Sequence, residues 1–213
     1  MKIERFVVGP FQENCYVVAD EAAGVAVVVD PGDEGGAILD AVHDSGLTLE
    51  AIWLTHAHLD HIGGIAAIKR RLDVPIFLHD DDLPVYRLGP QSAALYGVPF
   101  ELGPLPDRSL HEGDVVAVGS LRFDVWHMPG HAPGHVIFHG HGIALGGDVL
   151  FAGSIGRTDL PFSDGRQFQE TLVRMATLPP DTVVLPGHGD ETTIAVELKE
   201  NPFLKGLARP VRR

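Results

Sequence analysis

The sequence predicts an α+β protein built as a four-layer αβ/βα sandwich, two mixed β-sheets packed face to face with helices outside. Three observations predict it. Strand-rich blocks followed by helices occur twice along the 213 residues, the pattern of layered sheets that bury one face against each other and one under helices. Hydrophobic residues make up 45% and charged residues 21%, the balance of a globular chain and too apolar for a disordered one. The length suits one domain, residues 1–213, able to bury roughly 70% of the surface its unfolded form exposes.

The elements follow in order. Residues 3–8, 14–19 and 24–30 are short, rich in Val and aromatics, and bounded by Gly, Pro, Asp or Asn, so they read as strands. Asp30-Pro31-Gly32 breaks that pattern, and Ala37, Ile38, Ala41 and Val42 then recur at helical spacing over residues 35–45. Residues 49–54 form the next strand, 65–72 a short helix after Gly63-Gly64, and 75–78 a short strand. Residues 80–107 are rich in Pro and Gly and read as irregular, with one helical turn at their start. In the second half, 114–118 and 121–128 read as one hairpin and 136–138 and 143–145 as another. Residues 166–178 are helical, with Phe168, Leu172, Met175 and Ala176 on one face. Residues 182–185 are the last clear strand, and Asn201-Pro202 stops a short helix over 195–200.

Charge and cysteine content narrow the function classes. Lys and Arg total 16 against 29 Asp and Glu, a net charge of −13, which argues against nucleic acid and anionic membranes as partners because phosphate binding needs clustered positive charge. The RPVRR tail, residues 209–213, reads as solvated and too short for nucleic-acid binding. Cys15 is the only cysteine, so no internal disulfide can form. The N-terminal stretch lacks the apolar run of a signal peptide, and no segment approaches the ~20 apolar residues of a membrane span. A cytoplasmic protein acting on a small molecule is expected, and its oligomeric state is not written in the sequence.

The chemistry concentrates in THAHLDHIGG. His56, His58, Asp60 and His61 are four ligand-type residues within six positions. In an extended segment alternate side chains share a side, which would put His56, His58 and Asp60 one way and His61 the other. A loop curling around a metal pair can use all four, His56 and His58 on one ion and Asp60 and His61 on the other. Three further candidates each follow a predicted strand across a Gly or Pro break: His131 after Pro129-Gly130, Asp148 after Gly146-Gly147, and His188 after Pro186-Gly187. Strand ends sharing one edge would gather them. The seven divide as three histidines on one ion, Asp60, His61 and His188 on the other, and Asp148 bridging. An all-N/O donor set suits two Zn2+ per chain, with Fe2+ or Mn2+ as alternatives. Such a pair lowers the pKa of a shared water and polarises a carbonyl.

THAHLDHIGG resembles the H-x-H-x-D-H signature of the metallo-β-lactamase superfamily, and the likeness extends through PGHAPGH, LGGDVLF and PGHGDETT. The resemblance implies an αβ/βα sandwich with metals at one sheet edge. It implies ligand roles for His56, His58, His131 and Asp148 on the first ion, and for Asp60, His61, Asp148 and His188 on the second. FQENCYVV, DPGDEGG, GSIGRTDLP and ETTIAVELKENPF look most like the short glyoxalase II-type hydroxyacylglutathione hydrolases. That likeness implies thioester hydrolysis, S-lactoylglutathione to lactate and glutathione, by a hydroxide bridging the two metals, with Asp60 orienting that hydroxide and shuttling its proton. The family also implies two alternatives, a persulfide dioxygenase using one iron held by His56, His131 and Asp148, and a lactonase or β-lactam hydrolase. The glutathione-holding Lys and Tyr of full-length glyoxalase II are not evident here, and Arg157 occupies the comparable stretch.

The remaining polar residues are read singly. Asp30, just past a strand, is placed to orient a ligand histidine from behind. Arg157 either clamps a substrate carboxylate or pairs with Asp159 at the pocket rim. His135 reads as a loop histidine sooner than a buttress of the site. His139 and His141 read as solvated turn residues. His79 with Asp80, Asp81 and Asp82 reads as a helix start sooner than a metal site, since acids favour helix N-termini. His43, His111 and His127 have no partners by spacing, and Cys15 reads as a buried strand residue.

Overall fold

Backbone hydrogen bonding sorts the strands into two six-stranded sheets and a small hairpin. The structure is a computed structural model and describes residues 1–206; the 209–213 tail lies outside the described residues. β1 (Lys2–Val8), β2 (Glu13–Asp20) and β3 (Val25–Val29) form an antiparallel meander. Helix α1 (Gly35–Asp44) returns the chain so that β4 (Thr48–Trp53) pairs parallel with β3. Helices α2 (Leu59–Ile62) and α3 (Ile65–Lys69) lead to β5 (Ile76–His79), parallel to β4. A 3-10 turn (Asp80–Asp82) and helix α4 (Leu83–Tyr96) precede β6 (Arg108–Leu110), which completes the six-stranded sheet β1-β2-β3-β4-β5-β6.

The second sheet has the order β14-β13-β10-β9-β8-β7. β7 (Val115–Val118), β8 (Leu121–His127), β9 (Val136–Gly140) and β10 (Ile143–Gly147) run antiparallel in succession. A small hairpin, β11 (Leu150–Phe151) and β12 (Ser154–Ile155), and helix α5 (Gly165–Met175) precede β13 (Val183–Pro186), which pairs parallel with β10. β14 (Thr192–Thr193) forms the far edge and runs into α6 (Ile194–Glu200).

Alternation along single strands builds the layers. In β2, Tyr16 and Val18 face the other sheet while Cys15, Val17 and Ala19 face the helices; in β3, Val27 and Val29 point inward and Ala26 and Val28 outward. Trp53, Phe123 and Phe138 fill the space between the sheets, with Trp53 5.3 Å from Phe138 and 5.9 Å from Phe123 between ring centres. Ile38, Ile65, Ile68 and Tyr86 cover the first sheet, and Phe168, Leu172, Met175 and Ile194 the second. The result is the αββα layering that the repeated strand-then-helix blocks predicted.

Two expectations need correction. Residues 80–107 are not irregular: α4 runs for 14 residues, from Leu83 to Tyr96. Pro84 sits in its first turn, where a missing N–H costs nothing, and only Pro90 lies inside it. Burial of Val85, Tyr86, Gly89 and Ala93 holds the helix despite that proline. Second, residues 59–62 are not extended but a single helical turn, which replaces the expected alternation of Asp60 and His61.

The topology decides where the site lies. β3, β4 and β5 are mutually parallel, as are β8, β10 and β13, and each trio ends on one edge. Hydrogen bonds cross between the sheets there, from Val136 N–H to the Thr55 carbonyl (2.7 Å) and from Asn14 N–H to the Gly187 carbonyl (2.7 Å). Six loops therefore leave the sheets side by side. Removing the central ring tests this packing. Trp53→Ala should lose about 3–5 kcal/mol in denaturant unfolding; a loss under about 1 kcal/mol would mean the sheets do not depend on that contact.

Candidate metal centre

β4 ends at Trp53, and the next residues deliver Thr55, His56 and His58 as the chain leaves the sheet, before α2 turns Asp60 and His61 back toward them. His131 follows β8, Asp148 follows β10, and His188 follows β13. The structure brings all seven predicted residues together. One ligand atom from each of His56, His58 and His131 lies within 4.8 Å of the others, and the same holds for Asp60, His61 and His188. Asp148 stands between the trios: Oδ2 is 3.4 Å from His131 Nε2 and 3.7 Å from His188 Nε2, and Oδ1 is 3.5 Å from His61 Nε2.

Hydrogen bonds behind the rings choose their tautomers. His131 Nδ1–H donates to the Arg157 carbonyl at 2.7 Å, which leaves its Nε2 as a bare lone pair 2.9 Å from His58 Nδ1. His61 Nδ1–H donates to Asp30 Oδ2 at 3.1 Å. The Thr55 hydroxyl donates to Asp30 Oδ2 at 2.6 Å and so accepts from His56 Nδ1–H at 3.0 Å. Nε2 of His56 and of His61 and Oδ1 of Asp148 are buried with no hydrogen-bond partner among the described residues. Converging, desolvated lone pairs of this kind fit a cation, because left unpaired each would cost about 1–3 kcal/mol.

The charge states of His56, His58 and His131 agree. Burial, then the neighbouring imidazoles, push His56 and His58 well below the usual histidine range, and burial lowers His131 as well. These three are neutral at pH 7, as metal ligands must be. Burial would lower His61 too, but the carboxylates of Asp148 and Asp30 outweigh it and raise it well above the usual value. His188 is raised in the same way, by its bond to Asp60 against burial. Burial alone would raise the Asp60 carboxyl, but the bond from His188 and the charge of His61 hold it well below the usual carboxylate range.

Residues outside the predicted set complete the frame. His135 is not a free loop histidine: it is buried, stacks on His56 at 4.7 Å, and its Nε2 accepts the Asp148 N–H at 3.0 Å. Glu13 is buried in β2 with Oε1 3.7 Å from His61 Nδ1, and burial pushes its carboxyl up. Nothing in the sequence marked it, because Glu13 lies just outside the strand expected over 14–19. Asp82 is fully buried and accepts Ala57 N–H at 2.7 Å and Gly134 N–H at 2.6 Å, tying the 56–61 loop to the loop after His131; burial pushes it up to about 7. Gly147 (φ 46) is needed where it stands, since a Cβ would strike the Thr55 hydroxyl and the His135 ring. Arg157 pairs with Asp159 through two bonds of 2.6 and 2.8 Å while lining the cavity.

That cavity, about 350 Å3, opens over Asp60, His131, Asp148 and His188. Its walls are Leu88, Ser92 and Tyr96 of α4, Phe11, and Phe151 and Ile155 of the β11–β12 hairpin. Glu197 pins that hairpin, accepting Gly153 N–H at 2.9 Å and the Thr192 hydroxyl at 2.6 Å. The α4 wall was invisible in the sequence because the helix itself was.

Residues 8–188 match the profile of the Metallo-beta-lactamase superfamily. Hydroxyacylglutathione hydrolase GloC of Haemophilus influenzae is 37% identical over 213 residues, 96% of this chain and 98% of its own length. TTHA1623, solved in a di-iron-bound form, has a TM-score of 0.87 at 42% identity, covering 94% of this chain and 100% of that one. BLEG-1 B3 metallo-beta-lactamase has a TM-score of 0.89 at 36% identity, covering 96% and 100%.

The Asp82 bridge is open to test in metal-free protein. Asp82→Ala leaves two buried N–H groups unpaired and should lose about 2–4 kcal/mol on denaturant unfolding. Asp82→Asn keeps one acceptor and should lose about half as much. Equal stability of all three proteins would contradict the bridging role.

Proposed function

The chain belongs to the metallo-β-lactamase superfamily, and within it we propose a metal-dependent thioester hydrolase of the glyoxalase II type, converting S-lactoylglutathione to lactate and glutathione. The observation that carries this reading is the likeness to GloC, which spans nearly the whole of both chains. The di-iron form of TTHA1623 supports a two-cation centre. Two Zn2+ per chain are the first choice here, with Fe2+ or Mn2+ as alternatives on the same N/O donors. No described helix is long and apolar enough to cross a membrane. With a net charge of −13, we place the protein in the cytoplasm, acting on a small molecule without nucleic-acid or membrane partners.

His56, His58 and His131 would hold one cation and Asp60, His61 and His188 the other, with Asp148 shared. When bound, the cations supply the Lewis acidity that polarises an acyl carbonyl and acidifies water. The chain's own groups do the rest. Asp60, held ionised and 3.3 Å from His188 Nε2, accepts the proton of the attacking water on its carboxylate and passes it toward the leaving thiolate. Asp30 keeps His61 and, through Thr55, His56 with their Nε2 lone pairs forward. The apolar walls of the cavity exclude bulk water from the thioester. Arg157, oriented by Asp159, faces the cavity with a positive charge that suits a substrate carboxylate.

A second reading, β-lactam hydrolysis, is favoured by the likeness to BLEG-1. Metal quantification with turnover on one preparation separates the readings. Two metals per chain with S-lactoylglutathione hydrolysis that stops on chelation is the expected result. Turnover confined to β-lactams, or one iron per chain with oxygen uptake on glutathione persulfide, would overturn it.

Two further outcomes follow from the site chemistry. Asp60→Asn, assayed at saturating metal so that both cations stay bound, should keep its fold while kcat falls about 100- to 10,000-fold; unchanged turnover at full metal content would remove Asp60 from catalysis. Protons compete for His61 and His188, whose pKa values are raised, and not for His56, His58 and His131, whose values are lowered. Acidification below pH 7 should therefore release the Asp60–His61–His188 cation first and the three-histidine cation later. Loss of both cations in a single step would contradict that order.

A further inference from the structure

We propose a third cation site, separate from the paired cluster, formed by His79, Asp81 and His127. His79 ends β5 in the first sheet and His127 ends β8 in the second, so the topology that gathers the main cluster also brings these two together. Spacing along the chain hid the pair. Their rings lie parallel, 4.2 Å apart with 10° between planes. One ligand atom from each of His79, Asp81 and His127 falls within 4.8 Å of the others, the same limit that the two trios of the main cluster meet.

The surroundings prepare the His127 imidazole. His127 Nε2–H donates to the Pro133 carbonyl at 2.9 Å, which leaves Nδ1 as the basic nitrogen; a carbonyl behind the ring is the usual partner of a metal-ligating histidine. His79 is 8% exposed, and its Nδ1 accepts Asp81 N–H at 3.2 Å with Asp81 Oδ2 3.8 Å away; that bond must open for Nδ1 to take a cation. The His111 ring stands 5.9 Å from His79 and adds a third imidazole at the rim. Donors on a tetrahedral zinc ion sit about 3.4 Å apart. The donors must therefore close by roughly 1 Å, and the His79 ring must turn out of its stack on His127, because in-plane lone pairs on parallel rings do not meet at one ion; the exposed Asp81 side chain follows by rotation. Two imidazoles and a carboxylate select a borderline transition ion such as Zn2+, and disfavour Mg2+ and Ca2+, which prefer oxygen alone.

The site's place in the fold suggests what it does. Asp82, the next residue, holds the Ala57 and Gly134 N–H groups. A cation joining the end of β5 to the end of β8 would fasten the turn that carries Asp82, and so stiffen the frame behind the catalytic loops without touching substrate.

The test uses the metal-loaded protein and Zn2+ as the probe. Wild type, Asp81→Asn and His127→Gln are equilibrated with excess Zn2+ at a series of buffered concentrations, and bound metal is counted by mass spectrometry alongside the thermal midpoint. Wild type should take up one equivalent more than His127→Gln, and Asp81→Asn should bind that equivalent at least tenfold more weakly. Wild type alone should gain about 2–4 °C as that equivalent binds. The same Zn2+ count in all three proteins, whether because no extra ion binds or because it binds at another surface imidazole, would overturn the site. Should His127→Gln not fold, the exposed Asp81→Asn change still decides it. The readout is independent of which substrate the main cluster hydrolyses.

Discussion

Asp30 holds the left-handed backbone (φ 51) directly after β3, buried, with its carboxylate accepting Thr55 N–H at 2.7 Å, the Thr55 hydroxyl at 2.6 Å and His61 Nδ1–H at 3.1 Å. A non-glycine residue in that region costs on the order of 1 kcal/mol or more, and three hydrogen bonds to a charged acceptor offset it. These bonds join the end of β3 to the exit of β4 and fix the ring orientation of two histidines at once. The rest of the cluster depends on that constraint. If Asp30 released His61, the ring could present either nitrogen, and the facing of the two trios across Asp148 would be lost.

The cluster packs several imidazoles against one another. His56 and His61 lie 4.0 Å apart between ring centres, and His56 also packs against His58, His131 and His135. Neutral rings at this distance tolerate one another, but several protonated ones would not. The sandwich holds them because the loops that carry them leave β4 and β8, strands already packed on both faces. The ligand-bearing loops leave β4, β8, β10 and β13, while α4 and the β11–β12 hairpin form the cavity walls. This division lets one sheet edge serve different substrates by changing only what stands over it.

Most of the site was legible in the sequence because its chemistry is local or follows strand ends. The four ligand-type residues at 56–61 announce themselves, and His131, Asp148 and His188 each follow a strand across a Gly or Pro break. The layering was legible because strand-rich blocks followed by helices occur twice along the chain. What stayed hidden depends on contacts between distant segments. Pro84, Gly89 and Pro90 mask α4, whose stability comes from burial of Tyr86 and Ala93 and not from propensity. His135, His79 and His127 acquire partners only through sheet pairing, and Asp82 looked like its two acidic neighbours until burial and two backbone N–H groups singled it out. Arg157 was read with two roles open, and the structure supplies the Asp159 pair while leaving the guanidinium at the cavity wall.

X-ray absorption spectroscopy of the metal-loaded protein tests the central claim, that residues from four strand ends make one cage for two adjacent cations, most directly. The account predicts an inner shell of nitrogen and oxygen alone, with imidazole scattering, and a metal–metal vector at about 3.5–4 Å. A sulfur ligand from Cys15, or a fully loaded sample with no metal–metal vector, would contradict it.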